Sequence, residues 1–399
     1  MTISYWQQRG PAGNGGVRRK GVNENKYDIA VIGGGITGVA TAYFLKKMGC
    51  AKVAVLEREY VGYGATGRNA GFILAGLAEP YSRLVVGMGR NSAGEIMRST
   101  MENHDLIEEA VNEKSIDCGH RRCGSYHLAV SELEREELED SAEMMISHGF
   151  NVQYRPTFDG VEGECLREFR GGFFNPGDGR IDPFAFVRGL AADLDVAEGF
   201  EVTSIVKKHG AAVIKGKGAE IEAEMVMLAV NAYAPLLDPY FEKLIFPVRG
   251  QMLATSPLAG KPLNDYTYYA NFGYDYFRQT DDNSLIMGGL RNRFFKDETG
   301  YDDVTSDNLQ KALEEYIGGK LGVKDFSVKA RWGGVMGNTV DGLPLAGSLP
   351  SNSSVVALVG FNGHGMGLGM VSARDLAAAI MTGETSDLLR RFSLKRFAC

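Results

Sequence analysis

Three glycines spaced Gly33-x-Gly35-x-x-Gly38 follow the apolar run Ile29–Ile32 and precede a helical stretch. In that context the spacing suits a pyrophosphate. The first glycine permits a tight turn, the second lets backbone approach the phosphates, and the third lets the helix pack closely on the strand. The start of the helix offers unpaired N–H groups and the positive end of its dipole. Glu57 closes the next apolar run, Val53–Leu56. A carboxylate there can accept from both hydroxyls of an adenosine ribose and would repel a 2′-phosphate, which disfavours NADP. A glycine triad alone also occurs in turns that bind nothing. Strand, helix and acid together point to a dinucleotide.

These residues need elements to hold them. Tyr27 to Glu57 reads as one β-α-β unit, with a helix over Val39–Met48 closed by Gly49. Continuous apolar strands are what a parallel sheet covered on both faces requires. Helices are expected over 92–115, 131–148, 184–198 and 306–317, and a last one from Gly365 through Met381. Strands are expected at Val202–Lys207, Ala212–Ile214, Glu224–Val230 and Val355–Val359. Residues 245–256, 274–280 and 284–290 read as antiparallel strands, with Thr280-Asp281-Asp282-Asn283 as a turn. The order predicts an α/β fold with an α+β second lobe. A Rossmann-type nucleotide domain takes 27–90, 175–236 and 328–399. A mostly antiparallel substrate lobe, at 91–174 and 237–327, is inserted in it. Residues 1–26 form a polar, basic leader arm (Arg18, Arg19, Lys20) that Ile3, Tyr5 and Trp6 could anchor.

Composition narrows the function. The net charge of −7 lacks the basic face that nucleic acid demands. No stretch reaches the ~18 consecutive apolar residues of a membrane span, and no compact apolar signal core opens the chain. Five cysteines, Cys50, Cys118, Cys123, Cys165 and Cys399, are too irregular for a disulfide framework and fit reduced thiols in the cytoplasm. Cys118 and Cys123 with His120 fit no zinc pattern, so no metal is expected.

The stretch Tyr-Asp-Ile-Ala-Val-Ile-Gly-Gly-Gly-Ile-Thr-Gly-Val-Ala-Thr-Ala (27–42) resembles the opening of the D-amino acid oxidase family of FAD-dependent oxidoreductases, which includes glycine oxidase, sarcosine oxidase and gamma-glutamylputrescine oxidase. Further segments resemble the same family in the same order. They are Gly-Tyr-Gly-Ala-Thr-Gly-Arg-Asn-Ala-Gly (62–71), Asn-Pro-Gly-Asp-Gly-Arg-Ile-Asp-Pro (175–183), Phe-Pro-Val-Arg-Gly-Gln-Met-Leu (246–253), 331–347 and Gly-Phe-Asn-Gly-His-Gly-Met-Gly (360–367). The resemblance implies FAD rather than NAD. It implies cofactor contacts from Gly33, Gly35, Ile36, Thr37, Gly38, Glu57 and Arg58 on the adenosine side. It implies others from Gly64, Ala65, Thr66, Arg68, Asn69, Ala70 and Gly71, from Val202, Ala229 and Asn231, and from Gly334, Gly363, His364, Gly365 and Met366. Relatives that tether the flavin use a cysteine where Gly334 stands or a histidine where Arg68 stands, so non-covalent FAD is expected.

The activity implied is oxidation of a small amine or amino acid: hydride passes from the carbon beside nitrogen to flavin N5, and the imine then hydrolyses. Oxygen or another acceptor would take the electrons. The lysine that activates oxygen in sarcosine-oxidase-like members appears replaced near Ile286, which points away from oxygen. Tyr276, Gln251 and His364 are the catalytic candidates. Tyr274, Tyr276 and Arg278 share one face of a strand, and Tyr276 serves equally as a core aromatic. Tyr266, Tyr268, Tyr269 and Phe272 either line a pocket or fill the core. A carboxylate on the substrate would call for an arginine, and Arg68, Arg249, Arg278 and Arg291 all remain open. Three other readings compete: a flavin-containing assembly protein without turnover, a tRNA-modifying flavoenzyme, and a nicotinamide dehydrogenase.

Overall fold

In the computed structural model the described residues are 2–10, 26–158, 164–208, 211–216 and 219–397. Two eight-stranded sheets organise them. The first has Lys26–Ile32 at its centre, parallel to Val53–Glu57 on one side and to Ala219–Leu228 on the other. Asp195–Glu198 extends it in parallel beyond Val53–Glu57. Asn352–Val359 extends it beyond Ala219–Leu228 and carries the antiparallel Leu345–Leu349. The chain leaves the central strand toward one side and returns on the other. The carboxyl end of that strand is therefore a topological switch point, where an open α/β sheet binds its ligand.

Helix Ile36–Lys47 packs beside helix Gly365–Thr382 on this sheet. Val31, Val55, Leu45, Leu358 and Val371 are buried between the layers. Small residues let the two helices approach: a Cβ on Gly369 would lie 3.3 Å from Ile36. Helix Arg90–Lys114 crosses Gly365–Thr382. Its fully buried Asn103 donates to the Met366 carbonyl (2.8 Å) and accepts from the Met370 and Val371 amides (2.9 and 3.1 Å). That amide locks the first turns of the C-terminal helix in place.

The second sheet runs in the order Val328–Thr339, Ile245–Thr255, Leu285–Gly289, Asp275–Gln279, Thr267–Ala270, Ser125–Leu128, Gly172–Asn175, Gln153–Arg155. All its pairings are antiparallel except that of Thr267–Ala270 with Ser125–Leu128. The fold is thus α/β with a second, largely antiparallel layer.

Several local expectations shift. Residues 328–339, expected with the nucleotide layer, form the edge of the second sheet, paired from Ile245↔Thr339 to Thr255↔Val328. Helix Arg90–Lys114, expected in the inserted lobe, packs on the helices of the first layer. The helix expected over 184–198 ends at Leu190, and Asp195–Glu198 is instead an edge strand. In the leader, Ser4 caps a short helix, Tyr5–Arg9. Tyr5 and Trp6 are buried, but Ile3 is 55% exposed and anchors nothing. Arg18, Arg19 and Lys20 lie outside the described residues. No described helix is long and apolar enough to cross a membrane.

Gly38 is held by contact alone. A Cβ there would sit 2.0 Å from the Gly33 carbonyl oxygen. Both partners are backbone, so neither can swing aside. Gly38→Ala should destabilise the protein by about 2–3 kcal/mol, as overpacking of a rigid contact does, and urea unfolding measures it. A change below ~0.5 kcal/mol, the range of an ordinary surface substitution, would show that the strand and helix are not in contact.

Candidate active site

The tight turn after the central strand is built from backbone. Gly33 has φ +110°, a region that L side chains avoid. Its N–H donates to the Leu56 carbonyl at 2.9 Å. The next strand delivers Glu57, whose two oxygens accept from the amides of Gly34 (2.6 Å) and Glu59 (2.9 Å). Burial pushes this carboxyl above its ordinary pKa, against the pull of those two amides. Helix Ile36–Lys47 begins here without a side-chain cap on Gly35, while the Ile36 amide donates to Thr66 Oγ1 at 2.9 Å. The second glycine-rich loop is thereby fastened to the start of the helix.

A cleft of about 450 Å³ opens over this turn. Gly33, Gly35, Ile36, Thr37, Glu57, Arg58, Gly64, Ala65, Thr66, Asn69, Val202, Ala229, Asn231, Gly363, Gly365 and Met366 line it, together with Tyr233 and Met336. Arg58 stacks over the Tyr233 ring at 5.0 Å. Asn231 Oδ1 accepts from the amides of Gly360 (3.0 Å) and Phe361 (3.2 Å), which sets the turn before the C-terminal helix. Gly38 and Gly71 stand behind the surface, in contact with the Gly33 and Ile181 carbonyls. The fit to a dinucleotide rests on this bareness. The cleft floor is backbone at Gly33 and Gly35, two helix N-termini face it, and a carboxylate closes one end.

A second cavity of about 690 Å³ adjoins the first, since Ala65, Asn69, Met336, Gly363 and Met366 line both. Ala70, Gly334 and His364 line it too, opposite the segment 77–88. Tyr276 and Tyr269 are cross-strand partners that both face it. Glycines make room for their rings. A Cβ on Gly288 would lie 2.3 Å from Tyr276, and one on Gly273 would lie 2.0 Å from the Tyr269 hydroxyl. Burial raises both phenols, Tyr269 to about 12, so each keeps its proton. Burial lowers His364 to about 4. Its Nδ1 lies 3.3 Å from the Asn362 carbonyl, and its ring meets Tyr269 edge-on. Of the aromatic quartet, Tyr269 and Phe272 line the cavity, while Tyr268 is wholly buried and Tyr266 packs on its core.

The four open arginines separate by their partners. Arg68 lines the cavity, but its guanidinium is spent on partners: Nε donates to the Tyr63 carbonyl (2.8 Å), Nη1 to the Gly333 carbonyl (2.9 Å), and Nη2 pairs with Asp303 at 3.1 Å. Arg249 is spent on Glu298 at 2.8 Å. Arg278 donates to the Ala70 and Ile181 carbonyls, both at 3.0 Å, over the Trp6 ring. Arg291 lines the cavity as well, stacked over Tyr274 at 4.7 Å, and has no hydrogen-bond or ion-pair partner among the described residues. Gln251 requires a correction. On the strand Ile245–Thr255, Gly250 and Met252 face the cavity, and period-two alternation sends Gln251 the other way. There it is fully buried, donating to Glu298 (2.7 Å) and Ser306 (2.9 Å) and accepting from Gln310 (3.1 Å). Sequence reasoning passes over Tyr233 and the segment 77–88, which carry no motif, and over Met336, which lies within the segment 331–347 without being singled out there.

Known proteins resemble this chain along almost its whole length. The model of the DAO family, FAD dependent oxidoreductase, matches residues 28–379. Probable oxidoreductase OrdL of Haemophilus influenzae is 27% identical, over 89% of this chain and 83% of its own length. Gamma-glutamylputrescine oxidoreductase of Escherichia coli is 25% identical, over 90% and 84%. The crystal structure of glycine oxidase from Geobacillus kaustophilus superposes with a TM-score of 0.80 at 23% identity, covering 94% of this chain and all of that one.

The depressed His364 has a measurable consequence. Its ring is neutral from neutrality down to mildly acidic pH. In ligand-free protein, its imidazole NMR signals should hold still above about pH 5 and move with a midpoint near 4. Unfolded chain takes up this proton near pH 6.5, so stability from this residue is intact above that and falls as pH drops from 6.5 toward 4. An ordinary midpoint near 6.5 would show that the imidazole reaches solvent.

Proposed function

The chain belongs to the DAO family of FAD dependent oxidoreductases, and from that premise we propose that it oxidises a small amine carrying a carboxylate, an amino acid or an N-substituted one. The observation that supports this most is Arg291. Among the described residues it is the one guanidinium lining the cavity without a hydrogen-bond or ion-pair partner, beside Tyr269, Tyr276 and His364. A bare arginine in an aromatic cavity is a receptor for a carboxylate, which it can grip with two parallel N–H bonds.

The residues divide the cofactor and the substrate between them. Gly33, Gly35, Ile36, Thr37 and Glu57 would hold the adenosine diphosphate, with Arg58, Val202, Ala229 and Asn231 around the adenosine. Gly64, Ala65, Thr66, Asn69 and Ala70 would pass beside the flavin. Gly334, Gly363, His364, Gly365 and Met366 would lie under its ring. Gly38 and Gly71 act behind the surface by shaping these loops, and Arg68 at the cavity wall does so through its bonds to the Tyr63 and Gly333 carbonyls. The chemistry that bound FAD would supply here is acceptance of a hydride from the carbon beside nitrogen. Arg291 fixes the carboxylate and so orients that carbon. Tyr269 and Tyr276, both protonated, supply hydroxyls and aromatic walls that keep water out. A neutral His364 adds no positive charge to repel a protonated amine as it enters. No cysteine or histidine stands where a tether would form, so the FAD is held without a covalent bond. Ile286 is buried against Met252 and Trp332 and brings no ammonium group to the site, which favours an acceptor other than oxygen.

Anaerobic mixing of the yellow protein with a panel of amines tests the reading. Carboxylated amines should bleach the flavin band near roughly 450 nm, and uncharged amines or diamines should not. Bleaching by diamines alone would remove the carboxylate from the proposal. Arg291→Met should raise KM for a carboxylated substrate about 10- to 100-fold, as expected for loss of charge-assisted hydrogen bonds. Acid precipitation should release all the colour into the supernatant, and a yellow pellet would reveal a covalent link.

A further inference from the structure

The second glycine-rich loop has two faces. One lines the cleft and the cavity through Gly64, Ala65, Thr66 and Asn69. The other presents a row of backbone carbonyls away from them, and side chains of the amino-terminal arm take up that row. Gln7 Nε2 donates to the carbonyls of Gly62 (3.2 Å) and Tyr63 (3.0 Å). Ser4 Oγ donates to Gly67 at 2.5 Å. Trp6 Nε1 donates to Asn69 at 2.8 Å. Arg68 reaches back from the loop to Thr2, donating to its carbonyl (2.8 Å) and to Oγ1 (3.0 Å).

The arm is itself anchored on the second layer. Thr2 Oγ1 donates to the Asp303 carbonyl (2.7 Å) and accepts from the Gly333 amide (3.1 Å). The Tyr5 hydroxyl, in a fully buried ring, donates to Asp282 at 2.6 Å, and Arg9 pairs with the same carboxylate at 3.2 Å. A strap of eight residues thus joins the hairpin turn and the edge strand of the second sheet to the back of the loop. A glycine-rich loop has little internal stiffness. Here its own side chains contribute mainly Asn69, which donates to the Ala65 and Thr66 carbonyls and accepts from the Gly71 amide.

We propose that residues 2–9 are positioning residues of the cofactor site: by bonding the outer carbonyls of 62–69 they hold the inner face of that loop in the shape that receives the isoalloxazine end of FAD. The claim rests on the FAD reading above and deepens it. It predicts that the arm acts on cofactor affinity through loop order, and that it does so without touching the cofactor.

The test uses the whole chain with two conservative variants, Ser4→Ala and Gln7→Met, singly and combined, beside a form lacking residues 2–9. Apoprotein is titrated with FAD by quenching of flavin fluorescence, and amide hydrogen exchange is followed in 62–71. The combined variant should weaken FAD binding about tenfold or more, equivalent to about 1.4 kcal/mol. Exchange should quicken in 62–71, while the first sheet stays protected. The truncated form should behave likewise, and adding a synthetic peptide of residues 1–10 should restore tight binding, which a purely structural lesion would not allow. Unchanged FAD affinity and unchanged exchange in the double variant would overturn the proposal while leaving the FAD reading intact. Failure of the unaltered protein to bind FAD at all would overturn both.

Discussion

The structure turns on one approach of backbone to backbone. The first turn of helix Ile36–Lys47 lies against the end of the central strand with no side chain between them at Gly33 and Gly38. Three consequences follow from that proximity. The helix dipole ends at the floor of the cleft and not one side-chain diameter above it. Glu57, on the neighbouring parallel strand, comes within 2.6 Å of the Gly34 amide. Ile36 comes close enough for its amide to take the hydroxyl of Thr66, which brings the second loop to the same place. A larger residue at position 38 would lift the helix, and all three would part together.

The cavity next to this turn shows how a protein chooses one arginine among several. Arg68, Arg249 and Arg278 are all buried, and a buried guanidinium must be matched by acceptors. Each has found them: carbonyls and Asp303 for Arg68, Glu298 for Arg249, carbonyls and an indole face for Arg278. Their charge is consumed by the architecture. Arg291 follows the left-handed Leu290, φ +59°, at the end of a strand, and is only partly buried. It lines the cavity, and among the described residues nothing takes its donors. What separates the structural arginines from the proposed carboxylate receptor is therefore burial and partners, and residue type says nothing of it.

That explains what could be read from the sequence and what could not. The β-α-β unit is written locally: continuous apolar runs, glycines at fixed spacing and an acid at a strand end all lie within thirty-odd residues. The C-terminal helix from Gly365 and the hairpin around Thr280–Asn283 are similarly local. The side to which Gln251 points is not legible locally, because Arg249 to Thr255 are buried on both faces. With no alternation of polar and apolar residues, the phase of the strand cannot be told, and phase alone decides whether position 250 or 251 meets the cavity. The layer that residues 328–339 join is not legible locally, because strand pairing is a long-range choice, here with a partner more than seventy residues away. The fate of the arginines depends on contacts of the same long range, such as Arg68 with Gly333 and Thr2.

The second loop is bounded by both kinds of contact, local and long-range. Its start at Gly62 donates to the Gly34 carbonyl at 3.0 Å, inside the nucleotide layer. Its end at Ala70 accepts from Arg278 of the second sheet. Between these, Trp332 of the edge strand donates to the Arg68 carbonyl at 2.9 Å, beside the bonds from the arm. A segment with four glycines in ten residues has large conformational entropy to lose on ordering. Local bonding cannot offset that, and contacts from two sheets and the arm do. The geometry of the site is therefore a property of how the two layers are fastened to each other, and changes far from the cavity, on the rear of this loop, act on the same free energy as changes within it.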